Sequence, residues 1–283
     1  MTPFVFGPAP ATTVRQLTFG ALTAGGSWQM SLAHDRPEHL LIWMTRGQGL
    51  ALLDGARRGI GVHNAIFVPA RSLFSIDPGR QGFAQAVILP EATGLSLPRT
   101  VQHLRIRDAS AQSELTAYIE AMAREQSADR SLTQSALHAY AELISIWLRR
   151  NIEVAPEVTG TKRAARTLMR AYSARITTRF ASGAAMQDHA EALGVTPTHL
   201  TRVCRAETGR TAAVLLTERI LHAARTMLVQ TDMSAKDIAR HLGFGSAAYF
   251  TRFIQQHTGR TPTMLRRGVS VPLDSTLPRK FPY

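Results

Sequence analysis

Short apolar runs dominate the chain before about residue 105, and residues that favour turns separate them. The runs HLLIWMT, GLALLDG, NAIFVPA and FAQAVIL are each bounded by Gly, Pro, Asp or Asn. Apolar runs of about four to eight residues between turn residues are typical of β-strands. The pattern predicts a compact antiparallel β-barrel or sandwich made of short strands.

Apolar residues repeat with a helical period between about residues 113 and 150. One stripe in 113–127 consists of Leu115, Ile119 and Met122. Apolar stripes of this period predict amphipathic helices, which can bury area against the barrel or between subunits. We therefore expect two copies of the protein to form a homodimer through these two helices. The second stripe, in 132–150, is formed by Leu137, Tyr140, Ile144, Trp147 and Leu148.

The C-terminal part of the chain contains an internal repeat. The segments MQDHAEALG and AKDIARHLG align at an offset of 49 residues. After the next turn the offset becomes 50, where two Thr-Arg pairs and two TGRT segments align. A repeat with one inserted turn residue indicates two copies of one supersecondary unit.

Each copy has the caps of a helix, a tight turn and a second helix. In the second copy, Ser234 can cap the first helix, and Gly243 lies where the chain must leave it. Ser246 then caps a helix that ends at Gly259, and we expect Pro262 to prevent its continuation. The first copy has the same order, so the sequence predicts two helix-turn-helix units.

The segment AAVLLTERILHAARTMLVQ joins the two units. It predicts one long helix, and a rigid helix would let both second helices enter successive major grooves about 34 Å apart. The alternative is a helical bundle without a ligand. The predicted apolar face of this helix consists of Leu216, Ile220, Ala223, Ala224 and Met227.

The formal net charge of +13 is unevenly distributed. Residues 1–160 contain 14 Lys and Arg against 13 Asp and Glu, whereas residues 161–283 contain 19 against 7, a net charge of +12. Such asymmetry indicates a polyanion-binding domain joined to a neutral one, although an Arg-rich soluble surface would give the same charge. Pro156 and Gly160 predict a linker at 151–161 between the two parts.

No apolar run approaches the roughly 18 residues that a membrane helix needs, and the N-terminus has no pattern of a secretion signal. Cys204 is the single cysteine, which excludes an intrachain disulfide and a CxxC motif. We expect a cytoplasmic protein without a membrane partner.

Residues 162–267 resemble the DNA-binding domain of AraC/XylS-type transcriptional regulators. The segments AEALGVTPTHLTRVCRAETGRT, ERILHAARTML and IARHLGFGSAAYFTRFIQQHTGRTPTMLR carry the resemblance. Residues 1–150 resemble, more loosely, the cupin-like effector-sensing and dimerisation domain of such regulators. The resemblance implies an α+β protein with a small β-barrel, a helical dimerisation segment, an all-α double helix-turn-helix domain and a tail at 268–283. It also implies a sequence-specific regulator whose partners are double-stranded operator DNA and RNA polymerase.

The resemblance places the recognition helices at 197–207 and 246–257. Arginine can contact guanine with two hydrogen bonds, and threonine and alanine methyl groups can contact thymine. The candidate base contacts are Thr198, Thr201, Arg202, Ala247, Ala248, Thr251 and Arg252. The candidate phosphate contacts are Arg205, Arg210, Ser246 and Arg260. The alternative for Arg202 and Arg252 is a surface salt bridge. Cys204 aligns with Ile254, which favours a buried structural thiol over a redox sensor.

The N-terminal part raises the alternative of a cupin-type metalloenzyme fused to a basic DNA-binding domain. Cupin metal sites combine a His-x-His pair with a carboxylate and a distant histidine, whereas this chain has only Glu38-His39 and His63 in the strand region. We therefore expect no metal, no cofactor and no enzymatic activity. A third alternative is an architectural DNA-binding protein without sequence preference. A small organic effector would bind in a pocket of the strand region. The candidate lining residues, whose alternative is to be plain barrel core, are Trp28, His39, Trp43, Arg46 and Phe74.

Overall fold

A computed structural model of the chain describes residues 13–128, 130–152 and 161–268. Its contacts divide the chain into two compact units, Met1–Ala223 and Ala224–Tyr283. The division falls inside a long helix rather than at the predicted linker, most of which (153–160) lies outside the described residues. The domain boundaries at 150 and 162 therefore stay a prediction.

Eight short strands lie within the described part of the first unit, and every pairing between them is antiparallel. One sheet has the order β1-β7-β2-β5-β8 and the other has the order β4-β3-β6. The prediction of short antiparallel strands is confirmed, whereas the likeness to a cupin stays a prediction. The strands are β1 (Arg15–Thr18), β2 (His39–Arg46), β3 (Gln48–Leu53), β4 (Ala56–Gly61), β5 (Asn64–Val68), β6 (Ser75–Asp77), β7 (Phe83–Leu89) and β8 (Gln102–Arg105).

Alternate residues of β2 enter two different cores, because successive side chains of a strand point to opposite faces. Ile42 and its neighbours on one face pack with Phe74 and with the short helices α1 (Phe19–Leu22) and α2 (Trp28–Ser31). Trp43, on the other face, belongs to a core that includes residues of α3 (Ala109–Ala128) and α4 (Thr133–Asn151). Both predicted helical stripes therefore pack within the chain itself, where all their residues are buried except Tyr140, which is half-buried.

The helical part of the first unit begins with α5 (Thr161–Arg179). It continues through α6 (Met186–Glu191) and α7 (Pro197–Thr208), and α8 (Ala212–Gln230) crosses into the second unit. The second unit contains α9 (Ala235–His241), α10 (Ala247–Thr258) and α11 (Pro262–Arg266). The predicted α+β class, with a strand region followed by helix-turn-helix units and a long connecting helix, is confirmed.

Two details of the helices go beyond the predictions. Pro262 does not simply stop the chain, because it occupies the first turn of α11, where its missing N–H costs nothing. The buried residues of α8 include Arg219, which apolar periodicity alone could not place inside the protein. Of the described helices, none has the length and apolarity needed to cross a membrane.

Candidate nucleic-acid interface

The two predicted recognition helices, α7 and α10, begin and end in the same way. The Thr196 hydroxyl accepts a hydrogen bond from the His199 N–H at 3.2 Å, and the Ser246 hydroxyl accepts one from the Tyr249 N–H at 3.1 Å. Each helix ends at a glycine in the left-handed region, and the φ angles are 74° and 68°. The predicted caps are confirmed, and each provides a hydrogen-bond partner for backbone groups that have none within the helix.

The TGRT segments close both helices with the same hydrogen bonds. Thr208 donates its hydroxyl to the carbonyl of Cys204 at 2.7 Å, and Thr258 donates to the carbonyl of Ile254 at 2.7 Å. Cys204 and Ile254 are both fully buried, as their alignment in the repeat predicts. Burial raises the pKa of the Cys204 thiol to about 12, so this thiol is a core residue and not a reactive one.

Arg202 and Arg252 occupy equivalent, exposed positions on α7 and α10. Arg202 contacts the Nδ1 atom of His199 on the same helix at 3.2 Å. Within the part of the chain that the structure describes, neither arginine forms a salt bridge with a carboxylate. Of the other candidate contacts, Thr198, Arg205, Ser246 and Ala248 are exposed, whereas Thr201, Arg210, Ala247, Thr251 and Arg260 are half-buried.

Arg210 follows α7 and is engaged by other protein groups. Its Nη1 donates to the Glu218 carboxylate at 2.7 Å and to the Ser75 hydroxyl at 3.4 Å. Ser75 begins β6, so this arginine links the strand region to the turn between α7 and α8. Burial raises the pKa of Glu218, and Arg210 opposes that rise.

A family model described as a helix-turn-helix domain matches residues 189–268. The probable transcription factor PqrA of Proteus vulgaris is 35% identical over 79 residues, which cover 28% of this chain and 65% of PqrA. The uncharacterized transcriptional regulatory protein YesN of Bacillus subtilis is 34% identical over 77 residues, which cover 26% of this chain and 21% of YesN. The chain thus spans less than two thirds of either relative. Among solved structures, an apo ToxT variant of Vibrio cholerae aligns over 93% of this chain and 100% of its own, with 10% identity and a TM-score of 0.42.

Residues 189–268 form an AraC-type helix-turn-helix domain. The part of this AraC-type domain that lies in the first unit is α6, α7 and the first half of α8. The predicted recognition helix α7 is therefore in the same compact unit as the strand region. The second predicted recognition helix, α10, lies in the second unit.

Polar links join the strand region to α5 and to the first part of the AraC-type domain at what we call the strand–helix contact, and four of them involve arginine or glutamate side chains of the helical part. Three pair a group of the strand region with α5 or α8: Asp54 with Arg170, Asp35 with Arg219, and the Ala33 N–H with the Glu218 carboxylate. The fourth is the bond from Arg210 to Ser75. Pattern analysis missed this contact because its partners are 116 to 185 positions apart in the chain.

The hairpin turn between β3 and β4 comes close to α5. Gly55 has a φ of +70°, and a Cβ placed on it would lie 2.8 Å from the Cβ of Met169. Next to it, the Asp54 carboxylate accepts bonds of 2.9 Å and 2.5 Å from Nε and Nη2 of Arg170. Only glycine combines this left-handed backbone with so close an approach.

The structure brings together two of the five predicted effector residues. Trp28 lies 5.4 Å from the ring of His222, and Phe74 lies 4.4 Å from the ring of His34. Trp43 is in the core on the opposite face of the sheet, where its Nε1 donates to Thr116. The last two residues have other partners. The ring of His39 stacks on Phe67 with centroids 5.8 Å apart and its Nδ1 accepts from the Ala70 N–H, and Arg46 is exposed over the Phe83 ring.

The described residues contain no group of three or more His, Cys, Asp or Glu side chains that could hold a metal ion. Two of the three residues that raised the metal alternative, Glu38 and His63, have other partners. Glu38 lies 3.5 Å from the guanidinium of Arg36, and the ring of His63 stacks on Trp43 with centroids 5.8 Å apart.

Proposed function

We propose that this protein is a sequence-specific transcriptional regulator that reads double-stranded DNA with α7 and α10. One observation carries the proposal: Arg202 and Arg252 occupy the same exposed position on two helices with the same caps. Both helices belong to the AraC-type domain, and the net charge of +12 in residues 161–283 favours a polyanionic partner. No carboxylate of a described residue neutralises either guanidinium, so both are available to an outside acceptor.

The proposed base contacts come from the exposed faces of the two recognition helices. A guanidinium can donate two bonds to guanine O6 and N7, so Arg202 and Arg252 would carry most of the direct readout. The methyl groups of small residues would contact thymine beside them. These small residues are Thr198, Thr201, Ala247, Ala248 and Thr251.

Phosphate contacts would position the protein without reading sequence. We assign this role to Arg205 and Ser246, which are exposed at the ends of the recognition helices, and to Arg260. Arg210 can take the same role in the first unit only after it leaves Glu218 and Ser75, because those groups already accept its hydrogen bonds.

The regulator would act in the cytoplasm as a homodimer, with RNA polymerase as a protein partner and a small organic effector bound by the strand region. Trp28 and Phe74, in one aromatic cluster, are the best remaining candidates for that effector. We assign the chain no catalytic step, since no observation favours the fused metalloenzyme over a regulator.

Selection from random or genomic double-stranded DNA tests the proposal with the full chain. We expect wild-type protein to enrich a defined sequence with two read segments about one helical turn apart. Arg202→Ala and Arg252→Ala should each relax preference in a different segment. A matched control is Arg124→Ala, which removes an exposed arginine from α3 and should leave the selected sequence unchanged. Failure of the wild-type protein to enrich any sequence would favour an architectural DNA-binding protein.

A further inference from the structure

Two histidines from distant parts of the chain stack at the strand–helix contact. His34 lies between α2 and β2, and His222 lies on α8. Their rings are 4.1 Å apart with an interplanar angle of 11°. The ring of Phe74 packs against His34 with centroids 4.4 Å apart, and the ring of Trp28 packs against His222 with centroids 5.4 Å apart. The pair is thus enclosed by aromatic side chains of the strand region.

Hydrogen bonds fix the proton on each ring. The Nδ1 atom of His34 lies 2.9 Å from the carbonyl of Leu32, and the Nε2 atom of His222 lies 3.2 Å from the carbonyl of Gln29. A carbonyl oxygen only accepts, so each of these nitrogens must carry the hydrogen. The Nε2 atom of His34 is therefore a bare acceptor in the neutral ring. It is fully buried, and no described residue forms a hydrogen bond with it.

The charges around the pair disfavour a proton on either ring. Arg36 and Arg219 are the nearby cations. Asp35 is paired with Arg219 and Glu38 with Arg36. The remaining carboxylate, on α8, is Glu218, which is occupied by Arg210 and by the Ala33 N–H. Each of these three carboxylates of the described chain already has a cationic partner, and the charges that act on the two rings are those of Arg36 and Arg219.

Removal from water is the largest effect on both rings. Together with smaller contributions from the cationic Arg36 and Arg219, it lowers the pKa of His34 from 6.5 to about 3, although the hydrogen bond to the Leu32 carbonyl acts in the opposite direction. Burial likewise lowers the pKa of His222 well below 6.5, with contributions from His34, Arg219 and Arg36. Both rings are therefore neutral at neutral pH while they are stacked.

We propose that the His34–His222 stack makes the strand–helix contact a pH-dependent latch, closed when both rings are neutral and opened by acidification. Once the contact opens, each ring is exposed to water and can bind a proton. Above about pH 6.5 the closed state keeps its full stability, because neither state binds a proton there. Below that pH the open state binds more protons, so the closing equilibrium falls by up to about tenfold per pH unit for each histidine.

An open latch releases Arg210 from Ser75, which makes this arginine more accessible to an anionic partner. For DNA, this consequence rests on the proposed function, whereas the latch itself does not. Acidification would then strengthen the phosphate contact of the first helix-turn-helix unit. Binding of protons to the two histidines is the signal, and opening of the contact between the strand region and α8 is the response.

Hydrogen exchange of the full chain, read by mass spectrometry, tests the latch without DNA. The Ala33 amide donates to Glu218 across the contact, so its protection reports closure. Between pH 7.5 and 5.5, after correction for intrinsic exchange rates, we expect its protection to fall at least tenfold. The amides of β2 and β7, which lie in the centre of the five-stranded sheet, should keep their protection. Unchanged protection of Ala33 would overturn the proposal.

Matched variants separate the histidines from other titrating groups. His34→Asn and His222→Gln keep an N–H donor for the two carbonyls but cannot bind a proton in this range. The double variant should lose the pH dependence, whereas His138→Gln, at an exposed position on α4, should keep it. A loss of protection on acidification that persists in the double variant would assign the pH dependence to a group other than the two histidines and would overturn the proposal. That group would not be Glu218, because its raised pKa makes acidification favour the closed contact.

A second measurement on wild-type protein does not depend on the folding of any variant. Exchange of the imidazole C2 hydrogens reports the pKa of each histidine directly. In the closed protein, His34 and His222 should exchange with pKa values well below 6.5. Exchange of either ring with an ordinary pKa near 6.5, while Ala33 stays protected, would show that the closed contact tolerates the proton and would overturn the latch. Loss of DNA binding with normal exchange results would instead count against the proposed function alone.

Discussion

The Nε atom of Arg219 donates to the Asp35 carboxylate at 2.5 Å, although the two residues are 184 positions apart. The side chains are only 4% and 16% exposed, and the Arg219 guanidinium also lies 3.7 Å from the centre of the Phe180 ring. A buried cation needs such partners, because its removal from water costs several kcal/mol. The pair therefore specifies which face of α8 lies against the strand region.

Removing one partner of this ion pair should strongly destabilise the first unit. We expect Asp35→Ala to lower its free energy of unfolding by about 3 to 5 kcal/mol, because Arg219 stays buried without a counter-charge. The three tryptophans all lie in the first unit, so their fluorescence during urea unfolding reports that unit.

The exposed pair of Arg124 and Glu120 provides the control, since it is 3.9 Å long and its side chains are 71% and 53% exposed. Glu120→Ala should change the free energy by less than about 1 kcal/mol. Equal effects of Asp35→Ala and Glu120→Ala would show that the pair at α8 contributes no more than a surface pair.

Gly55 and Gly94 allow backbone strain to be separated from crowding. Both have a left-handed φ, of +70° and +71°, but only Gly55 has a neighbour, the Cβ of Met169, at 2.8 Å from an added Cβ. Gly94→Ala should cost about 1 to 2 kcal/mol from the backbone alone. Gly55→Ala should cost about 1 to 3 kcal/mol more, because α5 must move away. Thermal unfolding of the two variants measures the difference, and equal costs would mean that α5 is not packed against this turn.

Local signals in the sequence were sufficient to predict where α7 and α10 begin and end. Ser246 caps α10 with a group three residues away, and Gly259 ends the same helix, so each feature depends only on its neighbours. The contact of Asp35 with Arg219 could not be predicted in this way, because no periodicity links residues so far apart. The predicted effector pocket shows the same limit: Trp43 and Phe74 are aromatic residues of one small region, yet they lie in different cores.

Base-reading and phosphate-contacting arginines should respond differently to mutation. Arg202→Ala or Arg252→Ala should cost about 1 to 3 kcal/mol on the selected sequence and relax preference at a few base pairs. Arg260→Ala should weaken binding to all sequences alike and reduce the salt slope by about one unit. Footprinting and salt titration distinguish the two classes. Equal losses on specific and random DNA for Arg202→Ala would remove its assignment to direct readout.

Arg210→Ala should weaken DNA binding more when the strand–helix contact is open, because opening removes the bond from Arg210 to Ser75, whereas its bond to Glu218 lies within the helical part and remains. At pH 7.5 we therefore expect a smaller loss of affinity and a smaller change in salt slope for Arg210→Ala than for Arg205→Ala, whose side chain is exposed on α7. At pH 5.5 the difference between the two losses should be smaller. A loss for Arg210→Ala that is full-sized at both pH values would show that the contact does not restrict this arginine.

We expect the subunit contacts of the dimer to use exposed residues of α3 and α4, because the main apolar stripes of these helices pack within the chain. On α4, Leu143 is 39% exposed and is the best candidate for a subunit contact. Leu143→Arg should convert a dimer into a monomer at tens of micromolar without loss of helicity. Val62→Arg is the matched control, since Val62 is an exposed apolar residue (45%) outside both helices. Sedimentation of the wild-type chain as a monomer at this concentration would contradict the prediction of a homodimer.

The fragment 160–283 tests whether the AraC-type domain folds without the strand region. Its caps and buried residues, such as Cys204 and Ile254, are local to the fragment, so we expect a helical circular dichroism spectrum and weak DNA binding. Binding should be weaker than that of a dimer, because linked modules raise each other's effective concentration. In the fragment His222 loses the ring of His34 and the carbonyl of Gln29, so its pKa should return to about 6.5. An unfolded fragment would show that the strand–helix contact, rather than the local caps, is what stabilises α5 to α8.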